Sequence, residues 1–228
     1  MNLLDLIFPK FCHWCWQVWQ YLCQDCKKTV KLHPDICPIC KENSKYFRVC
    51  PSCRYPWDIL DWILIWFSYN WVIKNLIKHY KYKWSRDLSR YFVSKLKLLF
   101  ESNKILSENK DKILITYVPQ HWINRYFIRW YNQSYLLARD FAKEMNLPLV
   151  DMFKKVKFTK KQAKLKRSSR FINLNWAFEI NDHNINLEDK IILIFDDVVT
   201  TWTTIKKLSI LLEWTKSKVW WFVLARNN

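Results

Sequence analysis

The chain contains no glycine, and that absence limits its backbone more than any motif it carries. Glycine reaches positive φ and lets a backbone approach another group closely, whereas every other residue meets hindrance from its Cβ there. A soluble fold of 228 residues with none is physically implausible as written. Tryptophan, by contrast, occurs 15 times, close to the ~7% share that glycine ordinarily holds. Several tryptophans stand where glycine would: Trp16 directly after a Cys-x-x-Cys pair, Trp71 after Tyr69 and Asn70, Trp202 in a threonine-rich loop, and Trp214 after a helix. The pattern is that of a gene with an alternative genetic code, in which UGA encodes glycine, translated here with UGA as tryptophan. On that reading Trp57, Trp122 and one of Trp220 and Trp221 are genuine, and most of the others are glycine in the cell. The alternative is a protein truly rich in tryptophan, and an intact native mass equal to that of the written chain would select it.

Half of the chain is hydrophobic and 18% is aromatic, enough to bury a core. A formal net charge of +18 points to a polyanionic partner, because Lys and Arg gain by releasing counterions from phosphates. Nucleic acid comes first and an acidic membrane surface second; a lysine-rich codon bias would raise the charge with no ligand at all. Residues 1–10 lack the basic start, apolar run and cleavage site of a signal peptide. The longest apolar stretch, 59–73, contains Asp61 and Asn70 and is too short to span a bilayer, so no transmembrane segment is expected. The expected location is cytoplasmic, where paired cysteines more often hold metal than form disulfides.

All eight cysteines fall in four pairs: Cys12 and Cys15, Cys23 and Cys26, Cys37 and Cys40, Cys50 and Cys53. Two residues between thiolates let a turn present both sulfurs to one tetrahedral Zn²⁺, and four such pairs supply two closed Cys₄ sites. Closed sites are structural, so zinc is expected to fold this segment. Spacing does not say which pairs combine. His13 is an alternative ligand, and an iron–sulfur cluster or a redox dithiol is an alternative use of the same thiols.

Residues 1–56 therefore read as a cysteine-rich zinc module, and 57–228 as a second domain. There, 63–65 begins a strand-like run, and 72–82 and 88–100 show helical periods. A polar linker over 102–112 leads to a buried strand, 113–118, and then a helix over 132–145 with Tyr135, Leu136, Phe141 and Ala142 on one face. A strongly basic stretch occupies 154–170. Last come an apolar run at 191–195, a loop, a helix through Leu212 and a strand at 219–224. This alternation predicts an α/β fold with a parallel sheet, whose ligands sit at the carboxyl ends of the strands.

At the final strand-to-helix turn the sequence is Asp196-Asp197-Val198-Val199-Thr200-Thr201-Trp202-Thr203-Thr204. Paired carboxylates accept hydrogen bonds from vicinal hydroxyls, and threonine hydroxyls and backbone N–H groups at a helix start suit a phosphate. Two adjacent aspartates alone are common, and they also fit metal binding or mere solubility. The whole unit resembles the phosphoribosyl pyrophosphate loop of type I phosphoribosyltransferases. That resemblance implies that Asp196 and Asp197 take the ribose 2′- and 3′-hydroxyls, and that residues Val198 to Thr204 wrap the 5′-phosphate. Position 202 then requires glycine, since an indole would occupy the phosphate's space.

Over nearly its whole length the chain resembles the ComF family of DNA-uptake (competence) proteins. Val118-Pro119-Gln120-His121 and Arg129-Trp130-Tyr131-Asn132-Gln133 are similar to that family's Val-Pro-x-His and Arg-Gly-Phe-Asn-Gln. Gln162, Leu165, Arg170, Asn173 and Phe178, the pair Lys81-Tyr82 and the pair Ala225-Arg226 match further positions. The departures are the missing glycines and one extra residue between His121 and Arg129. The resemblance implies a phosphoribosyltransferase-like domain behind a zinc module, Mg²⁺ with phosphoribosyl pyrophosphate, and Arg129 bridging the pyrophosphate. It also implies single-stranded DNA and proteins of the DNA-uptake machinery as partners. His121 has two readings, proton transfer or a structural role. Two other functions stay open. A phosphoribosyltransferase of nucleotide metabolism predicts a base-binding hood that the sequence does not display. A non-catalytic nucleic-acid-binding protein that keeps the fold is favoured by basic residues among aromatics at 74–83 and 154–170.

Overall fold

A computed structural model describes residues 11–12, 15–18, 21–37, 39–45, 48–53, 60–82, 88–120, 131–156, 177–181, 185–200 and 202–226. His13, Trp57, His121, Trp122, Arg129, Trp130, Thr201 and the basic residues 157–170 lie outside the described residues.

Four strands, β1 (Leu60–Ser68), β2 (Ile113–Tyr117), β5 (Ile191–Val199) and β6 (Lys218–Arg226), form one sheet in the order β1-β6-β5-β2. Every pairing in it is parallel, so the α/β parallel-sheet class expected from the sequence is met. Strand alternation sorts the apolar residues to two faces. Leu64, Leu193, Phe195, Trp220 and Phe222 join one core cluster, while Ile63, Ile65, Ile192, Ile194, Trp221 and Val223 join the other. With both faces covered, the strands read as near-continuous apolar runs instead of alternating ones.

The first face is covered by α2 (Trp71–Tyr82), α3 (Leu88–Ser102) and α5 (Gln133–Met145), through Ile73, Leu76, Tyr80, Phe92, Leu96, Leu137 and Phe141. The second is covered by α6 (Trp202–Ile210), through Ile205 and Leu208, and by an antiparallel pair, β3 (Phe153–Lys155) and β4 (Phe178–Ile180). That strand pair was not anticipated. Neither was α4 (Lys104–Glu108), which with a 3₁₀ turn at Lys110–Lys112 replaces the expected polar linker. Asn103 caps α4 by accepting the Leu106 N–H, and Leu106 is fully buried, so one apolar contact anchors a segment whose composition reads as loop. Tyr135 is 39% exposed and lies off the buried face of α5 assigned to it; Leu137 and Ala138 occupy that face instead.

The cysteine-rich segment, which holds the short helix α1 (Gln24–Lys28), packs directly on the sheet. Cys12, Cys23 and Cys26 share the first core cluster with Leu64 and Phe67 of β1. Residues 31–33 run along the outer edge of β1: Leu32 bridges Phe67, Ser68 N–H donates to Lys31 O (3.0 Å) and His33 N–H to Trp66 O (3.0 Å). A strand edge that would otherwise expose its backbone polar groups is thereby covered.

Five described residues take positive φ: Trp16, Lys41, Asn146, Asp189 and Lys216. Trp16 (φ 64) and Lys41 (φ 69) each follow the second cysteine of a pair, so the expectation of glycine at position 16 meets a left-handed backbone. The other tryptophans differ. Trp71 is the first residue of α2, where Asn70 caps by accepting the Ile73 N–H (2.9 Å), so the Asn-Trp pair is a helix start and not a tight turn. Trp214 lies in a 3₁₀ turn, and the left-handed residue there is Lys216.

Candidate functional site

At the carboxyl edge of the sheet, β2 and β5 end beside the N-terminus of α5, and β5 leads toward α6. The position of α5 follows from its cap. Asn132 Oδ1 accepts the N–H groups of Ser134 (3.0 Å) and Tyr135 (3.3 Å), and its Nδ2 donates to Val118 O (3.0 Å), so one side chain fixes the helix start to the end of β2. The next two residues then face the aspartates. Ser134 Oγ donates to Asp196 Oδ1 (3.0 Å) and Gln133 Nε2 to Asp197 Oδ2 (3.0 Å). Gln133 is itself held by Gln120 Nε2, which donates to its Oε1 (2.7 Å), and by Tyr80 OH, which donates to its backbone oxygen (2.8 Å).

Asp196 and Asp197 are side by side, but their environments differ. Both lie inside β5, which runs two residues beyond the pair, so the expected strand end falls later. Asp197 is buried, and its Oδ2 also receives Lys81 Nζ from the last turn of α2 at 2.7 Å. Asp196 is partly buried; the Ser134 hydroxyl and the Asp197 N–H (2.8 Å) both bond Oδ1, which leaves Oδ2 without a hydrogen bond among the described residues. Desolvation, with the neighbouring Asp197 charge second, pushes the Asp196 carboxyl up to about 7, and Lys81 opposes this. From the other side Lys155 of β3, held below the usual lysine range by burial, feels the Asp196 charge in the opposite sense.

Past β5, Thr200 is exposed, while Trp202, Thr203 and Thr204 open α6 and are partly buried. Trp202 does not take positive φ, so the case for glycine at 202 rests on close approach alone. Its ring packs against the second core cluster and lies under the Arg226 guanidinium, 5.2 Å from Cζ to ring centre. Val198 and Val199 are buried. Lys81, Ser134 and Lys155 were not foreseen as site residues. Lys81 and Gln133 stand within matched motifs, but only tertiary packing brings them to a carboxylate so distant in sequence.

The eight thiols form two clusters, Cys12/Cys15/Cys23/Cys26 and Cys37/Cys40/Cys50/Cys53, with all four sulfurs of each within 4.8 Å of one another. Neighbouring pairs combine, which settles the question spacing left open. The two clusters are built alike: Trp16 N–H donates to Cys12 O (2.9 Å) as Lys41 N–H does to Cys37 O (3.0 Å), and Cys12 N–H donates to Gln17 O as Cys37 N–H does to Glu42 O, both at 2.7 Å. No disulfide joins these cysteines; the contacts Cys15–Cys23 (3.4 Å) and Cys40–Cys50 (3.6 Å) are non-bonded. Sulfurs 2.3 Å from a shared tetrahedral ion would sit about 3.8 Å apart, so the donor sets fit structural zinc.

No described helix is long and apolar enough to cross a membrane. No protein-family model matches the chain. Over 194 residues, 84% of each protein, the chain is 28% identical to Competence protein F of Haemophilus influenzae, which agrees with the family resemblance drawn from its motifs. Solved structures similar to it include a hypoxanthine phosphoribosyltransferase from Staphylococcus aureus (TM-score 0.39, 14% identity, 66% of this chain and 71% of that one). Another is an adenine phosphoribosyltransferase from Saccharomyces cerevisiae (TM-score 0.39, 15% identity, 90% of this chain and 87% of that one).

Proposed function

We propose that this chain, similar to a competence protein, is a ComF-like protein that binds phosphoribosyl pyrophosphate and acts on or beside single-stranded DNA during DNA uptake. The observation that carries the reading is the placement of Asp196 and Asp197 side by side near the carboxyl edge of a parallel sheet, shortly before the N-terminus of α6. Asp196, through its Oδ2, takes the ribose hydroxyls, and Asp197 orders the site through Lys81 and Gln133. Residues 198–204 lead the 5′-phosphate to the helix start, with glycine at 202 in the cell, and Arg129 bridges the pyrophosphate. Asp196 is the residue that would help hold Mg²⁺, which would supply positive charge against the pyrophosphate. Catalysis in such a site is positioning and charge stabilisation at the ribosyl carbon. Residues 1–56 act as the zinc module and 57–228 as the phosphoribosyltransferase-like domain, in the cytoplasm.

A non-catalytic reading has one observation in its favour: Asp197 Oδ2 already serves Lys81 and Gln133, so half of the carboxylate pair is committed to the interior. Calorimetric titration with phosphoribosyl pyrophosphate and Mg²⁺ tests binding. The Trp202→Gly chain is expected to bind and the chain with Trp202 is not; equal behaviour would remove the loop from the phosphate site. Pyrophosphate release, with candidate bases or DNA supplied, then separates enzyme from binder. Affinity for single-stranded DNA should fall steeply as salt rises, since a charge of +18 makes phosphate neutralisation the main driving force. Salt-insensitive binding would point to a different partner.

A further inference from the structure

Arg226, the last residue of β6, ends beside Val199 of β5 on one side and Ser68 of β1 on the other. Its side chain is buried at 8% exposure, and its Nη1 has no hydrogen-bond partner among the described residues. A buried guanidinium N–H left unsatisfied is expensive, and arginine in such a setting ordinarily forks onto a carboxylate or phosphate. Here the group it lies against is Trp202, the first residue of α6. The first-turn N–H groups of a helix have no intrahelical acceptors and carry its positive end. A buried cation at the positive end of a helix is a poor arrangement unless an anion lies between them.

We propose that Arg226 and the N-terminus of α6 together form an oxyanion site for the terminal phosphate monoester of a phosphorylated sugar, with the Trp202 ring standing in the space that the phosphate takes when residue 202 is glycine. This rests on the reading above that the β5–α6 connection holds a phosphoribosyl group, and it adds a side chain from the neighbouring strand that assigns the 5′-phosphate, and not the pyrophosphate, to this end of the site.

The probes are ribose 5-phosphate, which carries only the 5′-phosphate, and magnesium pyrophosphate, which carries only the other end. Both are titrated calorimetrically into the full-length Trp202→Gly chain and into the same chain with Arg226→Gln or Arg226→Lys, with circular dichroism checking the fold. Arg226→Gln is expected to weaken ribose 5-phosphate at least about 10-fold and to leave magnesium pyrophosphate unchanged, with Arg226→Lys between the two because charge remains but the fork is lost. Should Arg226→Gln fail to fold, Arg226→Lys carries the test, and full ribose 5-phosphate affinity in it refutes a forked contact. Unchanged ribose 5-phosphate binding in Arg226→Gln overturns the inference while leaving the loop reading intact. Equal weakening of both probes reveals only a general charge effect and overturns it too. No binding of ribose 5-phosphate to the Trp202→Gly chain defeats the inference and the loop reading together.

Discussion

Adjacent residues of one type sit in opposite environments. Asp197 pairs with Lys81 at 2.7 Å, whereas Asp196 is a carboxyl that the fold drives up to about 7. In the unfolded chain Asp196 loses its proton near its ordinary value of about 3.8, so the folded state binds the extra proton between that pH and about 7. Stability on this account is fully present at low pH, declines as pH rises through the window, and has lost the whole contribution above about 7. Asp196→Asn should therefore raise the urea midpoint at pH 8 and leave it nearly unchanged at pH 4. Asp197→Asn should lower it at pH 8, because partly buried Lys81 loses its counter-charge. If both variants behaved alike, the proposal that one aspartate serves the ligand and the other the structure would fail. A carboxylate retained against the preference of its own fold is what a binding residue looks like energetically. The sequence marked the pair as a candidate site, but it could not divide the labour, since the division comes from side chains 64 residues away for Gln133 and farther for Lys81. Trp16 is the converse case, a residue legible from its neighbours alone. The turn after a Cys-x-x-Cys pair is local, its φ of 64 disfavours any side chain, and the indole is 73% exposed and gains little burial in return.

Elements with a strong period were legible in the sequence, and those defined by a single contact were not. The helices α2, α3 and α5 and the strands β5 and β6 follow from apolar spacing, whereas α4 depends on the Asn103 cap and one buried leucine, and the β3–β4 pair is only three residues long on each side. The site falls between these extremes, because its residues come from the ends of legible elements and meet only through packing. Lys81 lies in the last turn of α2, and its ion pair ties that helix to β5 with side-chain exposures of 20% and 6%. An ion pair so placed is costly to break from one side but cheap to replace as a whole, since the remaining charge is left without compensation. Lys81→Met alone should destabilise the protein by about 3 kcal/mol or more at pH 8, by denaturant unfolding. The double variant Lys81→Met with Asp197→Asn should recover most of that loss, and the coupling between the two changes measures the tether. An additive double variant would mean that α2 is held in place by its apolar face alone.

At the scale of the whole molecule the two parts anticipated from the sequence share one core. Composition divides the chain near residue 56, yet Cys12, Cys23 and Cys26 pack in the same apolar cluster as β1, α2 and α3, and residues 31–33 cover the free edge of β1. The division was legible because cysteine spacing is a local signal; the union was not, because Leu22 and Val30 carry no mark of the strand they will meet. The second cluster's surroundings meet the sheet as well: Arg48 lies over Trp62 of β1 at 5.5 Å, and Val49 joins the core cluster on the other face with Cys53 packed against it. Metal content should therefore govern the stability of the entire chain. Protein purified without chelator is expected to carry two zinc ions by elemental analysis, one for each cluster of four thiols. Cys26→Ser should lower the count to one, and Cys53→Ser should do the same independently, because adjacent pairs form separate sites. On thermal unfolding, a strong chelator should shift a single cooperative transition to lower temperature, since losing the first cluster uncovers the edge of β1 and part of the common core. Two separate transitions, with the upper one unmoved by chelator, would instead describe a zinc module merely appended to an α/β domain that stands without it.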